Sequence, residues 1–127
     1  MKYKLLVLDV DGTLLNDAKE ISKRTLASLL KVQQMGIRVA LASGRPTYGL
    51  MPLAKTLELG NYGGFIISYN GGQIINAQNG EILFERRINP EMLPYLEKKA
   101  RKNNFAIFTY HDAVSYTHLT LPTTSRV

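Results

Sequence analysis

Leu5-Leu-Val-Leu-Asp9-Val-Asp11-Gly-Thr13-Leu-Leu15 is the stretch from which the fold of this chain is read. Four consecutive apolar residues, Leu5 to Leu8, have the pattern of a strand buried on both faces, and Asp9 and Asp11 stand where it gives way to a Gly-Thr turn. The two carboxylates are therefore expected at the strand's carboxyl end. In an open parallel sheet, ligands bind in the crevice outside that edge. Residues two apart in extended backbone point to one side, so both acids are expected to share a small site, with Val10 turned away.

Paired carboxylates suit phosphoryl transfer. One can attack phosphorus, while the other gives a proton to the leaving oxygen and later takes one from water. In the acid role, Asp11 is expected to have a raised pKa because of its neighbour, and a bound Mg2+ would keep Asp9 ionised. Gly12 lets the backbone turn closely over the site, and the Thr13 hydroxyl can hydrogen-bond the carboxylates or turn amides. The plainer alternative, an Asp-x-Asp-Gly turn that merely ends a strand, is weakened by the apolar run before it and Gly-Thr-Leu-Leu after it.

Beyond the acids, Ser22 reads as the N-cap of a helix running to Met35, stopped by Gly36, with Ile21, Leu26, Leu29, Leu30 and Gln33 on one stripe. Ile37–Ala42 is the next buried strand, parallel to the first. It ends in Ser43-Gly44-Arg45-Pro46. Ser43 can donate to a phosphoryl oxygen, Gly44 allows close backbone approach, Arg45 offers a planar fork for an anion, and Pro46 suits the first turn of a helix. The competing reading is a helix start capped by Ser43, with Arg45 solvated.

Thr47–Leu59 reads as a helix broken or kinked at Pro52 and closed by Gly60, with Tyr48, Met51 and Leu57 read as packing residues in preference to substrate contacts. Gly64–Tyr69 is a third buried strand, and Asn70 after it is either a substrate contact or a turn residue tolerant of positive φ. Asn79-Gly80, between Gln73–Ala77 and Glu81–Glu85, signals a hairpin at the sheet's edge. Asn89 and Pro90 open another helix, with Met92, Leu93, Leu96 and Ala100 on its apolar face, and Phe105–Tyr110 reads as a strand. His111 and Asp112 read as a strand-end turn in preference to ligand contacts. The expected class is α/β, a Rossmann-like parallel sheet with an edge hairpin.

Asp9-Val-Asp11-Gly-Thr-Leu-Leu resembles motif I of the haloacid dehalogenase (HAD) superfamily, and Ser43 in Ser-Gly-Arg-Pro resembles motif II. The surroundings are similar to its Cof-type (subfamily IIB) phosphatases, from residue 2 to residue 113. The resemblance implies the first half of a HAD core over residues 1–87 and the beginning of an α/β type-two cap over 88–113. It makes Asp9 the nucleophile and Asp11 the acid/base, and places Ser43, Gly44, Arg45, Gly12 and Asn70 on the phosphate side. Mg2+ would be held by the Asp9 side chain, the Asp11 backbone carbonyl and acids near the family's C-terminus. The implied substrate is a small phosphorylated metabolite such as a sugar phosphate.

About thirty residues between Asp11 and Ser43 hold one helix and two strand ends, which leaves no room for the cap that other branches insert there. The β-phosphoglucomutase-like branch is thereby disfavoured. The family's motif III Lys and motif IV acids have no counterpart, and Lys55, Lys98 and Lys99 lie on early helices. The complete protein is expected to be a Mg2+-dependent phosphatase working through an aspartyl-phosphate. This 127-residue chain is expected to be an inactive, weakly stable fragment of it, prone to associate. Rival readings are a phosphomutase using the same Asp pair and a non-catalytic phosphate-binding or receiver-like domain. A receiver would carry its accepting Asp after the third strand, where this chain has Ser68, Tyr69 and Asn70.

The composition, 45% hydrophobic and 20% charged, is that of a globular chain, and no apolar run approaches the length of a membrane span. Absence of cysteine removes thiolate chemistry and fits a cytoplasmic location. The net charge of +6 is dispersed, with its densest run, Lys98 to Lys102, at one helix end. A mild field for anionic esters is therefore expected, with no nucleic-acid or membrane partner. Oligomeric state is left open. Val114 to Ser125 contain no Asp, Glu, Lys or Arg and four Thr, and resemble translated sequencing-adapter DNA. Residues 114–127 are thus expected to be a non-native tail, with His118 no ligand; the other reading is a cap strand with Leu119 and Leu121 on one face.

Overall fold

A computed structural model describes residues 2–111 and 114–117. The chain divides between Arg86 and Arg87 into two compact units. In the first, β1 (Leu5–Asp9), α1 (Lys23–Gln34), β2 (Arg38–Ala42), α2 (Thr47–Thr56), β3 (Phe65–Ser68), β4 (Gln73–Asn76) and β5 (Ile82–Glu85) follow in order. They build one sheet, ordered β1-β2-β3-β4-β5. The first three strands run parallel, and β4 and β5 add antiparallel. This is the α/β sheet with an edge hairpin that the sequence implied.

Local chemistry sets the helix boundaries. The Ser22 hydroxyl accepts from the Thr25 amide at 3.2 Å, capping α1, and Gly36 at φ +89° releases the chain into β2. Register then aligns Leu8, Leu41, Ile66 and Ile75 in one row across four strands. That row belongs to a core with Val39, Leu29 of α1, and Leu50 and Ala54 of α2. Truncating a fully buried Leu such as Leu41 would cost about 2–5 kcal/mol.

The opposite face differs from expectation. Leu5 and Val7 are 47% and 49% exposed, so β1 is not buried on both sides. The core helices pack on the side that carries Leu6 and Leu8, and β1 is an edge strand of the sheet. A continuous apolar run could not reveal which face would be covered.

α2 also departs from its reading. It runs through Pro52 without a break and ends at Thr56, where Glu58 adopts φ +54°; Gly60 is not its stop. Pro52 forfeits one amide donor, yet the burial of Leu50, Leu57 and Leu59 holds the segment in place. Gly60 instead lies so close to the Ala77 carbonyl that a Cβ would come within 3.0 Å. Leu57 packs as expected, whereas Tyr48 and Met51 are exposed.

In the second unit, the Asn89 carboxamide accepts from the Glu91 amide at 3.0 Å, and a 3-10 turn over Pro90–Met92 leads into α3 (Leu93–Lys102). Ala100 is buried, while Met92 and Leu93 are exposed. The basic run at the end of α3 is solvent-facing, with Arg101 paired to Glu97 at 2.8 Å. The next strand, β6, covers only Phe108–His111, and Phe105 lies before it, exposed. β6 pairs antiparallel with β7 (Val114–Thr117). Asp112 and His118 lie outside the described residues. Among those residues, no helix is long and apolar enough to cross a membrane.

Candidate functional site

Asp9 is the last residue of β1 and pairs in register with Ala42, the last of β2. Ser43 therefore stands one residue beyond the acid's neighbour, at the same carboxyl end of an adjacent parallel strand. The backbone stays extended through Asp9 (φ −68°, ψ 151°) and Asp11 (φ −72°, ψ 123°), which exposes both acids and buries Val10 completely. Both acids thus lie exposed on either side of buried Val10, in the alternation that their spacing implied. Gly12 then turns at φ +79°, and the Leu15 amide closes the turn on the Val10 carbonyl at 3.0 Å. Nothing lies within 4 Å of where a Gly12 Cβ would sit, so this glycine answers to its φ and not to a close approach. The Thr13 hydroxyl donates to Asp9 Oδ2 at 2.9 Å.

The turn after β2 is tied to β3 by its backbone. Ser43 N donates to Ile67 O, Tyr69 N to Arg45 O and Asn70 N to Ser43 O, at 3.0, 3.0 and 3.1 Å. The Ser43 hydroxyl accepts from the Arg45 amide at 3.1 Å, which leaves its proton available to an anion. It does not cap α2, whose N-cap is Pro46. Asn70 holds φ +54° and its carboxamide fills the space beside Gly44, where a Cβ would meet Asn70 Oδ1 at 2.9 Å. Asn70 is therefore both a positive-φ turn residue and a neighbour of the Ser43 turn. The open approach expected at Gly44 is occupied by that side chain.

Arg45 is partly exposed, and its guanidinium is paired with Asp11. Its Nε donates to Asp11 Oδ2 at 2.8 Å and its Nη2 to Oδ1 at 2.6 Å. Lys19 adds a second cation 3.6 Å from Asp11 Oδ1. The Arg45 hydrogen bonds, and then the charges of Arg45 and Lys19, hold the Asp11 carboxyl below its ordinary value, and Asp11 in turn raises Arg45. The raised pKa expected for Asp11 is thus reversed: the Arg45 hydrogen bonds and the two cations outweigh the desolvation that would raise it.

Lys19 was not singled out by the sequence reading. It sits at φ +61° in a loop framed by Asn16, which accepts from Lys19 N at 2.9 Å and, through Oδ1, from Glu20 N at 3.0 Å. An Asn opening a polar five-residue loop was the available signal, but nothing in it pointed toward Asp11. As metal donors, the Asp9 carboxylate and the Asp11 main-chain carbonyl are hard oxygens of the kind Mg2+ takes. That ion keeps several waters and needs few protein ligands. No group of three or more His, Cys, Asp or Glu is assembled among the described residues.

Comparison with known proteins agrees with this fold. A Streptococcus pyogenes protein that carries a phosphatase name is 37% identical over 81 residues, covering 64% of this chain and 30% of its own. The Bacillus subtilis 5-amino-6-(5-phospho-D-ribitylamino)uracil phosphatase YcsE is 35% identical over 85 residues, covering 67% and 32%. The crystal structure of a haloacid dehalogenase-like hydrolase from Bacteroides thetaiotaomicron matches with a TM-score of 0.82 and 50% identity, over 95% of this chain and 46% of that one. The chain spans about a third of the length of these curated relatives. A family model described as haloacid dehalogenase-like hydrolase matches residues 6–124, and to that family the chain belongs.

Proposed function

We propose that this chain carries the nucleophile half of a phosphatase acting on small phosphate esters through an aspartyl-phosphate. The observation that supports it most is the register that sets Asp9 beside Ala42 and so brings Ser43 to the same sheet end. Asp9 Oδ1, which accepts no hydrogen bond from the described residues while Thr13 holds Oδ2, attacks phosphorus and the ester oxygen leaves. The Ser43 hydroxyl donates to a phosphoryl oxygen. Asp11 protonates the departing oxygen, then takes a proton from the water that hydrolyses the aspartyl-phosphate, returning Asp9 as carboxylate.

Asp11 must carry a proton for the first of these steps. An arriving phosphate dianion supplies the like charge that raises its pKa, and offers Arg45 a second anionic partner. Mg2+, bound by the Asp9 carboxylate and the Asp11 carbonyl, would neutralise phosphoryl charge. A polyol or sugar phosphate is the substrate class proposed, in keeping with the phosphoribityl compound named for YcsE.

The test uses beryllofluoride, an inert phosphoryl mimic, with Mg2+ and the 127-residue chain, followed by fluorine NMR. A bound signal that disappears in Asp9→Asn and without Mg2+ is expected. Binding that is indifferent to Asp9 would overturn the reading.

A further inference from the structure

Thr47, the first residue of α2, follows Arg45 by two positions and sits in a polar chain that the reaction above does not use. Its hydroxyl contacts Ser68 Oγ at 2.6 Å and donates to Gln73 Oε1; Gln73 Nε2 donates to Glu85 Oε1 at 2.7 Å. A hydroxyl has one proton. Because the Gln73 carbonyl oxygen can only accept, Thr47 spends its proton there, so Ser68 must donate to Thr47. The direction of the whole chain is thereby set: Ser68 to Thr47 to Gln73, whose amide group donates on to Glu85.

Ser68 is completely buried, so loss of its acceptor would leave a hydroxyl unpaired in the interior. An apolar residue at position 47 could fill space, but it could not fix an orientation, which is what a fully satisfied polar chain does. The N-cap at Pro46 makes no side-chain hydrogen bond, so the start of α2 has no ordinary cap and takes its polar anchor from Thr47. The residues immediately before it, Ser43 to Arg45, are tied by backbone bonds to Ile67 of β3 and to Tyr69 and Asn70 just beyond it.

We propose that Thr47 is a positioning residue, whose hydroxyl, bonded to Ser68 and Gln73, sets the start of α2 and with it the direction in which Arg45 projects from the Ser43–Arg45 turn. The inference rests on the phosphoryl reading only for its consequence in binding, since its geometric content concerns the ligand-free chain.

The experiment follows the Arg45 Nε–H signal in nitrogen-edited NMR of the ligand-free 127-residue chain. In Thr47→Val the signal should move toward that of free arginine and its exchange with water should rise about tenfold or more, while Thr47→Ser keeps the wild-type position. Gln73 is only partly buried, so Gln73→Met serves as the second variant and should shift the signal in the same direction even if Thr47→Val fails to fold. An unchanged Arg45 signal in Gln73→Met or in folded Thr47→Val, or a Thr47→Ser signal displaced as far as that of Val, overturns the proposal. Beryllofluoride binding by the wild-type chain is scored separately. Its absence would sink the phosphoryl reading, and the Arg45 signal would still decide the role of Thr47.

Discussion

Arg45 closes a two-point grip on Asp11 across 34 positions of sequence, with Nε and Nη2 reaching the two carboxylate oxygens at 2.8 and 2.6 Å. The grip links the turn after β2 to the turn after β1 and sets the charge state in which the site waits. A planar fork meeting a carboxylate at both oxygens fixes orientation as well as charge, which a lysine at position 45 could not do.

The pH dependence follows from that pairing. The Asp11 carboxyl lies below its ordinary value of 3.8, so whatever stability the pair contributes is fully present above 3.8 and is lost as pH falls through the folded value. Carbon-detected titration should show the Asp11 midpoint rising toward 3.8 in Arg45→Gln, with Arg45→Lys recovering only part of the depression. Identical midpoints in the wild-type chain and Arg45→Gln would contradict the pairing.

Gly44 and Asn70 should behave as one unit. A methyl at position 44 would press on Asn70 Oδ1, so Gly44→Ala should displace the Asn70 carboxamide at a cost of about 0.5–1.5 kcal/mol, as for a side chain forced from its rotamer. In an Asn70→Gly background, which removes that side chain and keeps the positive φ, the cost should largely vanish. Urea unfolding of the two single variants and the double variant measures the coupling.

Gln33 is 3% exposed and donates through Nε2 to the Leu57 carbonyl at 2.8 Å, while its Oε1 has no partner. Gln33→Met should destabilise the chain by about 1–3 kcal/mol, toward the lower end because the unpaired oxygen leaves with the amide. A thermal midpoint unchanged from wild type would mean that the Leu57 carbonyl had found another donor.

The 127-residue chain should release no phosphate from small esters above background, with or without Mg2+. Lys19 pairs with Asp11 at 3.6 Å, and Lys55 sits in the last turn of α2, at the far end of that helix from Thr47. Phosphate release that persists through purification and is lost in Asp9→Asn would show that the described acids and Ser43 suffice.

The elements with strong local signals were legible from the residues. Ser22 and Gly36 bracket α1, Asn79-Gly80 makes the hairpin, and Asn89 caps the turn before α3, because each signal is a local hydrogen bond or φ requirement. The end of α2 was misread, since Glu58 takes a left-handed conformation that glycine would ordinarily be given. Burial of Leu57 and Leu59 on either side of it outweighs the local preference.

The sequence alone determined that two carboxylates would end a strand two residues apart, that a Ser-Gly-Arg turn would end the next, and that both belong to a haloacid dehalogenase-like chain. Backbone period and turn chemistry are local properties, readable from neighbours. Only the tertiary structure decided where Arg45 points, that Asn70 occupies the space beside Gly44, that Lys19 approaches Asp11, and that one face of β1 stays open to water. The Lys19 contact closes within the loop after β1; the others depend on parallel pairing of distant strands and on which side the helices pack, and no run of adjacent residues encodes that.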